Sequence, residues 1–184
     1  ERMEDTSDQT KGSLTTSVYT LEDIDRIEDF RESIIDFEKQ LSGIEGSYGD
    51  ADKPGQEKVA NDINTLTHTF AGGCYVREIN MPKGQLMTTG IHKKEHPFFV
   101  LKGDVSILTD TGIVRIVAPY SGVTKPGTKR LIYINEDTIW ATVHATDKET
   151  VEEVIPDIIA KDFSDPEVSL EKAREMLRIE SDKS

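Results

Sequence analysis

The sequence predicts a mainly β protein, with one amphipathic helix before the β region and short helices after it. Three observations lead to this fold class. Between residues 20 and 43, apolar residues recur at steps of three or four, which indicates a helix. Between residues 66 and 145, short β-branched runs alternate with Gly, Pro and Asp, as in a sandwich or barrel. Helical signals return over residues 146–184.

Both ends of the chain are acidic, whereas its middle is nearly neutral. The formal net charge is −13, of which residues 1–53 carry −9, residues 54–145 carry +2 and residues 146–184 carry −6. Residues 1–19, rich in Ser, Thr and Asp, are expected to be a flexible acidic lead-in. A chain this acidic repels phosphate backbones, so nucleic acid is not expected as a direct partner.

The first helix is predicted over Leu21–Leu41, within the segment 20–43. Thr20 and Asp23 have the spacing of a capping box, and Gly43 fits a helix stop. Residues 44–65, rich in Gly and acidic side chains, predict a linker. The helix is expected to dock either on its own barrel or on a neighbour, and its apolar face is a candidate interface. The candidate interface residues on the helix are Ile27, Phe30, Ile34 and Phe37.

Seven strands are predicted in the β region, separated by turn signals such as Lys102-Gly103-Asp104 and Asn135-Glu136-Asp137. The predicted strands are Phe70–Ile79, Gln85–Thr89, His96–Lys102, Val105–Thr109, Ile113–Val117, Arg130–Ile134 and Thr138–Ala145. In the acidic arm 146–184, Thr146 with Glu149 predicts one helix start and Asp165-Pro166 another.

The stretch from Gly90 to Asp104 resembles the first conserved motif of the cupin superfamily, G-x5-H-x-H-x3-E-x6-G. With Gly103 as the last glycine, His96 falls at the glutamate position, His92 at the second histidine and Gly90 at the first. Residues 118–130 resemble the second motif, G-x5-P-x-G-x2-H, with Arg130 at the usual histidine position. The sequence of these two stretches is also similar to that of small cupin-like proteins of tailed phages.

This resemblance implies a single cupin-type double-stranded β-helix barrel over residues 66–145. Cupins commonly dimerise through their outer surfaces, so it also implies a homo-oligomer or contacts with other structural proteins. Phe99 and Leu101 point away from His96 and Phe98 in a strand, so they are expected to lie in a second covered face, such as an interface. The phage likeness would place the protein in the host cytoplasm or a virion.

The resemblance also implies a candidate metal site, because cupin enzymes bind Fe, Mn, Ni or Zn through histidines and a glutamate. His92 and His96 would share one face of a strand, and His144 would join them if Trp140 and Thr142 face inward. Arg130 cannot ligate a metal. It would instead pair with Glu95, Glu136 or a bound anion, and with Tyr133 it is a candidate ligand-binding pair inside the barrel.

Three functions follow from these expectations. Because Gly90 and Arg130 stand where the family's motifs have histidine ligands, the sequence favours a non-catalytic structural or assembly protein without a cofactor. A phage virion component whose arms contact neighbouring subunits would be one example. The alternative is a metal-dependent enzyme, dioxygenase-like or isomerase-like, that acts on a small molecule. The third is a barrel that binds a sugar or an anionic ligand without metal.

The single cysteine, Cys74, cannot form an internal disulfide, so a reducing compartment is expected. The polar N-terminus predicts no secretory signal, and no apolar run predicts a membrane span.

Overall fold

A computed structural model describes residues 19–44 and 63–181. Within them the predicted fold class is confirmed, because the chain is mainly β, with a helix before the β region and short helices after it. The predicted lead-in and linker lie almost wholly outside the described residues. None of the described helices is long and apolar enough to cross a bilayer.

Helix α1 spans Leu21–Leu41, as predicted. Its capping box is formed by the Asp23 amide, which donates to Thr20 Oγ1 at 3.1 Å, and the Thr20 amide, which donates to Asp23 Oδ2 at 2.9 Å. The helix docks on its own chain, where Ile34 is 3% exposed. Ile34 is thus packed within the single chain and the other three candidates on the helix are partly buried, and the interface role of all four stays a prediction.

The β region is one antiparallel seven-stranded sheet with a separate two-stranded pair. The strands are β1 (Leu66–Ala71), β2 (Cys74–Met81), β3 (Leu86–Thr88), β4 (Ile91–His92), β5 (His96–Thr109), β6 (Gly112–Val117), β7 (Tyr120–Thr124), β8 (Leu131–Ala145) and β9 (Ile159–Ala160). The main sheet has the order β1-β2-β8-β5-β6, while β3 joins β8 and β7 joins β5. Strands β4 and β9 form the separate pair.

Two strands are far longer than predicted, because sequence signals for turns mark irregularities within them. Strand β5 continues through Gly103, and its register with β8 shifts between Val100 and Val105. Gly103 has φ +97°, and a Cβ there would lie 2.3 Å from Thr138 Oγ1. Strand β8 likewise continues through Asn135-Glu136-Asp137. Gly103 thus permits a bulge within β5 rather than a reversal of the chain.

Two other strand predictions also differ from the structure. The predicted strand Phe70–Ile79 is in fact a hairpin, because Gly72 and Gly73 turn the chain with φ +58° and +76°. Strand β7 lies in a stretch for which no strand is predicted. It pairs with the first half of β5, so that half of β5 has a neighbour on each side.

The main core lies on the inner face of this sheet. Along β5, His96, Phe98 and Val100 are buried and alternate with exposed neighbours. Along β8, Ile132, Ile134 and Trp140 are buried on the same side. The core is made of Ile79, Met81, Phe98, Val100, Val105, Ile107, Ile116, Ile132, Ile134 and Trp140.

The acidic C-terminal segment returns to the barrel. It contains helix α2 (Val151–Ile158), β9 and helix α3 (Glu171–Ser181). Both predicted starts are early, because Thr146 and Asp165 cap turns instead. Val154 and Ile158 pack on Tyr75.

Ion pairs hold the same segment in place. Lys93 lies 3.0 Å from Asp165, and Arg174 of α3 lies 2.6 Å from Asp25 of α1. Some of the acidic side chains of both arms are therefore paired within the chain, and contact of the arms with neighbouring subunits stays a prediction.

Gly103→Ala should lower the free energy of unfolding by more than about 3 kcal/mol, since the positive φ and the contact with Thr138 both oppose a side chain. Gly84→Ala is the matched control, because Gly84 has φ +84° with nothing within 4 Å of an added Cβ. Its loss should be about 1–2 kcal/mol. Urea denaturation measures both, and equal losses would contradict the close approach of β5 to β8 at Gly103.

Candidate metal centre

The three histidines that the sequence singled out come together at one end of the barrel. His92 comes from β4, His96 from β5 and His144 from β8, and one donor atom of each lies within 4.8 Å of the others. The ring centroids of His96 and His144 are 4.1 Å apart, and those of His92 and His96 are 4.5 Å apart. His96 is 2% and His144 4% exposed, while His92 is partly buried.

Strand pairing explains why two of these rings meet. Tyr75 lies opposite His144 across β2 and β8, and His96 lies opposite Thr124 across β5 and β7. Opposite residues share a face, so these four side chains form one inward-facing line, which we call the histidine row. The Tyr75 ring lies 6.1 Å from that of His144 and closes one end of the row.

His92 reaches the row from the separate β-pair. It lies opposite Ile159 of β9, and its backbone amide donates to the Thr128 carbonyl at 3.1 Å. The same pair brings Ile159 close to Gly90. A Cβ at position 90 would lie 3.1 Å from two carbon atoms of the Ile159 side chain. A larger side chain at position 90 would therefore require Ile159 to move.

A second inward-facing line lies next to the first. Arg77 lies opposite Thr142, Thr142 opposite Phe98, and Phe98 opposite Gly122. We call this line the arginine row. It is two residues further along each strand, which is about 7 Å from the histidine row. Arg130 belongs to it as well, since its guanidinium carbon lies 5.3 Å from the centre of the Phe98 ring.

Sequence reasoning missed Arg77. In β2 it alternates with the buried residues Tyr75 and Ile79, and this period of two is visible in the sequence. The sequence also predicts that Tyr133 lies inside the barrel with Arg130, but the Tyr133 side chain does not face the core. Tyr133 is 45% exposed, because Ile132 and Ile134 on either side of it face the core.

Desolvation keeps the three imidazoles neutral. Burial, followed by repulsion from His96 and Arg130, lowers the pKa of His92 to about 2. Burial and then His96 lower the pKa of His144 to about 3. Burial also lowers the pKa of His96, against the opposing effect of its bond to the Lys94 carbonyl. Neutral imidazole is the form that binds a metal.

Hydrogen bonding fixes the tautomer of His96. Its Nδ1 lies 3.0 Å from the Lys94 carbonyl oxygen, which can only accept, so Nδ1 carries the proton. Nε2 therefore presents a lone pair, and within the described part of the chain this buried atom has no hydrogen-bond partner. Nδ1 of His92 is also buried and has no hydrogen-bond partner among the described residues. A carbonyl that orients the far side of a ligating histidine is a frequent feature of metal sites.

The donor set fits a divalent transition metal. Two nitrogen ligands at 2.0–2.1 Å from one tetrahedral ion are roughly 3.4 Å apart, so side-chain movements of about 1 Å would bring the three donors into range. No carboxylate belongs to the cluster among the described residues. Imidazole is a ligand for Zn, Fe, Ni and Cu, whereas Mg and Ca prefer oxygen.

The outer face of the barrel end is exposed in the single chain. Phe99 is 36% and Leu101 53% exposed, and Val123 of β7 is 54% exposed. Helix α1 does not cover them, so the covered second face expected for β5 is absent from the described part of a single chain. An intermolecular cover stays a prediction.

Comparisons with known proteins give a fold likeness of limited extent. No family model matches the sequence, and no curated protein sequence does. A cupin-2 domain-containing protein from Shewanella frigidimarina is 10% identical, with a TM-score of 0.38 over 44% of this chain and 79% of that one. A cupin superfamily protein from Desulfitobacterium hafniense is 9% identical, with a TM-score of 0.40 over 46% of this chain and 78% of that one.

An acetylacetone dioxygenase from Acinetobacter johnsonii is 16% identical, with a TM-score of 0.38 over 45% of this chain. This chain spans 59% of the length of that enzyme.

The bond to Lys94 predicts the state of His96 in chelator-treated protein. Long-range ¹H–¹⁵N correlation spectra at neutral pH should show a neutral ring protonated on Nδ1, because the carbonyl holds that proton. Water-exposed histidines usually favour protonation on Nε2. An Nε2-protonated ring at His96 would contradict the donor geometry described above.

Proposed function

We propose that the protein binds one divalent transition metal through His92, His96 and His144 and uses it to act on a small molecule. The observation that carries this proposal is the convergence of the three donors within 4.8 Å, with buried nitrogens of His92 and His96 left without hydrogen bonds. Within the described residues, neither of these imidazole nitrogens has a partner, and each carries a desolvation cost of about 1–3 kcal/mol in the interior.

Fe, Ni or Zn would suit the site, whereas Mn, which the resemblance also implies, is better suited to oxygen ligands. Three neutral ligands leave the full charge of the ion in place and leave one or more coordination positions for water or substrate. When bound, the ion would supply Lewis-acid chemistry, or redox chemistry in the case of iron.

The chain's own residues have distinct parts in this proposal. The Lys94 carbonyl holds His96 in one orientation, and Tyr75 packs beside His144. The apolar core next to the site, including Phe98 and Trp140, whose rings are stacked 4.5 Å apart, limits the access of water. Low water content strengthens every electrostatic interaction there.

Elemental analysis of protein dialysed against excess Zn²⁺ or Ni²⁺ should give one ion per chain. His96→Leu should weaken binding at least about 100-fold in calorimetric titration, because it removes one of three ligands. Stability of the metal-free protein should change by less than about 1 kcal/mol, since the variant removes a buried unpartnered nitrogen together with one hydrogen bond.

The matched control is His68→Gln, at the remaining histidine of the chain, which lies in β1 outside the cluster. Its metal affinity should stay within about twofold of the wild type. A wild type that binds no metal would refute the proposal, as would a His96→Leu protein that binds as tightly as the control.

A second candidate function, assembly with copies of itself or with other structural proteins, is favoured by the exposed apolar outer face. Phe99, Leu101 and Val123 are all at least 36% exposed. Large exposed apolar patches mark interaction sites. A place in a phage virion would be one form of this function, and it needs no metal.

Phe99→Ser combined with Leu101→Glu should convert an oligomer to a monomer in size-exclusion chromatography with light scattering, because both changes remove apolar contact area. Leu86→Glu, at a residue 41% exposed on β3, is the control and should leave the mass unchanged. A wild type that is already monomeric at 100 µM, a concentration well above that needed by a stable interface (about 1 µM or below), would contradict this second candidate.

A further inference from the structure

We infer that the small molecule bound at this site is an anion, with a carboxylate or a similar oxyanion held between the metal ion and the guanidinium groups of Arg77 and Arg130. This inference rests on the proposed metal site and names the class of its ligand. It concerns the arginine row, which the metal itself does not use.

The first step is the lack of counter-ions. The two carboxylates expected to pair with Arg130 are engaged elsewhere, since Glu95 lies 3.4 Å from Lys125 and Glu136 lies 2.7 Å from Lys83. Among the described residues, neither Arg130 nor Arg77 makes an ion pair, and neither guanidinium has a hydrogen bond. Both side chains are nevertheless partly buried.

Burial of an arginine without a partner is costly. Desolvation lowers the pKa of Arg130 to about 10, so the guanidinium is still charged at neutral pH. A cation in the interior is destabilising unless a partner compensates its charge. The cation–π contact with the Phe98 ring beneath Arg130 offsets only part of this cost.

The second step is the sign of the charge around the histidines. Among the described residues, no carboxylate belongs to the histidine cluster. Arg130 lies over the Phe98 ring, and Arg77 lies two residues from the buried Tyr75 along β2. A divalent cation bound there would bring the local charge to about +4. Such a field attracts anions and repels cations.

The third step is placement. Arg77 lies at one end of the arginine row, and Arg130 lies over Phe98 further along it. This row is about 7 Å from the histidine row, which is the distance that a carboxylate with a short carbon chain, or a bridging oxyanion, can span. Gly122 permits this arrangement, because a Cβ there would lie 2.7 Å from the Phe98 ring. The planar fork of a guanidinium matches a carboxylate with two parallel hydrogen bonds.

A neutral donor stands in the histidine row as well. Thr124 lies opposite His96 and is 1% exposed, and its buried Oγ1 has no hydrogen-bond partner among the described residues. Its hydroxyl can donate to an oxyanion that approaches the metal. Two unpartnered cations and one unpartnered hydroxyl therefore face the same interior as the three ligands.

The test uses Co²⁺ as a spectroscopic metal and acetate as the probe, on the full chain at constant ionic strength. Visible absorption first reports Co²⁺ binding alone. Acetate is then titrated, with acetamide as its neutral counterpart. Arg130→Met and Arg77→Met each remove one cation but keep most of the side-chain volume. Lys125→Met, at a side chain 69% exposed and paired with Glu95, is the matched control.

The wild type and Lys125→Met should bind acetate and ignore acetamide. Each arginine variant should bind acetate at least about tenfold more weakly, in line with the loss of one charge-assisted hydrogen bond. Both variants should bind Co²⁺ at least as tightly as the wild type, because a repelling cation is gone.

Two results would overturn the inference while leaving the metal site intact. The first is a wild type that binds Co²⁺ but responds equally to acetate and acetamide. The second is unchanged acetate affinity in both arginine variants. A wild type with no Co²⁺ spectrum would refute the metal site, and the ligand assignment would fall with it.

Discussion

The pairing of β5 with β8 is the constraint on which the site depends. Phe98 lies opposite Thr142 and Val100 opposite Trp140, and this register brings His96 and His144 to the same inward line. A slip of one residue would turn the histidines outward and the exposed neighbours inward. The apolar core fixes the register, because Phe98, Val100 and Trp140 are each 6% exposed or less. The same burial that stabilises the barrel therefore sets the distance between the ligands.

The polar side chains of the histidine row and the arginine row include basic groups but no acidic one. Three neutral imidazoles and two guanidinium groups face one another without a carboxylate among the described residues. Most buried charges in proteins are paired, and most buried nitrogens are hydrogen-bonded. A metal ion would complete the imidazoles and an anion would complete the arginines.

Local patterns predicted much of the fold and of the candidate metal centre. The period of three to four residues and the Thr20–Asp23 box define α1, because both signals act within one turn of helix. The period of two residues identified His144 as a partner of His96, because the side chains of a strand alternate whatever its neighbours are. The same rule applied to β2 would have found Arg77.

The parts that the sequence did not predict depend on distant contacts. Gly103 has the look of a turn glycine, and only the approach of Thr138 shows that the chain continues straight as a bulge. The return of the C-terminal segment depends on pairing between Ile91 and Ala160. The close approach of Ile159 to Gly90 depends on the same pairing. The exposure of Tyr133 follows from the continuous alternation of β8.

X-ray absorption spectroscopy of zinc-loaded protein tests the central claim most directly, because it reads the ligands of the ion itself. The account predicts a first shell at about 2.0–2.1 Å with the outer-shell scattering of three imidazole rings. A shell made of water and carboxylate oxygens, or one with a single imidazole, would contradict it.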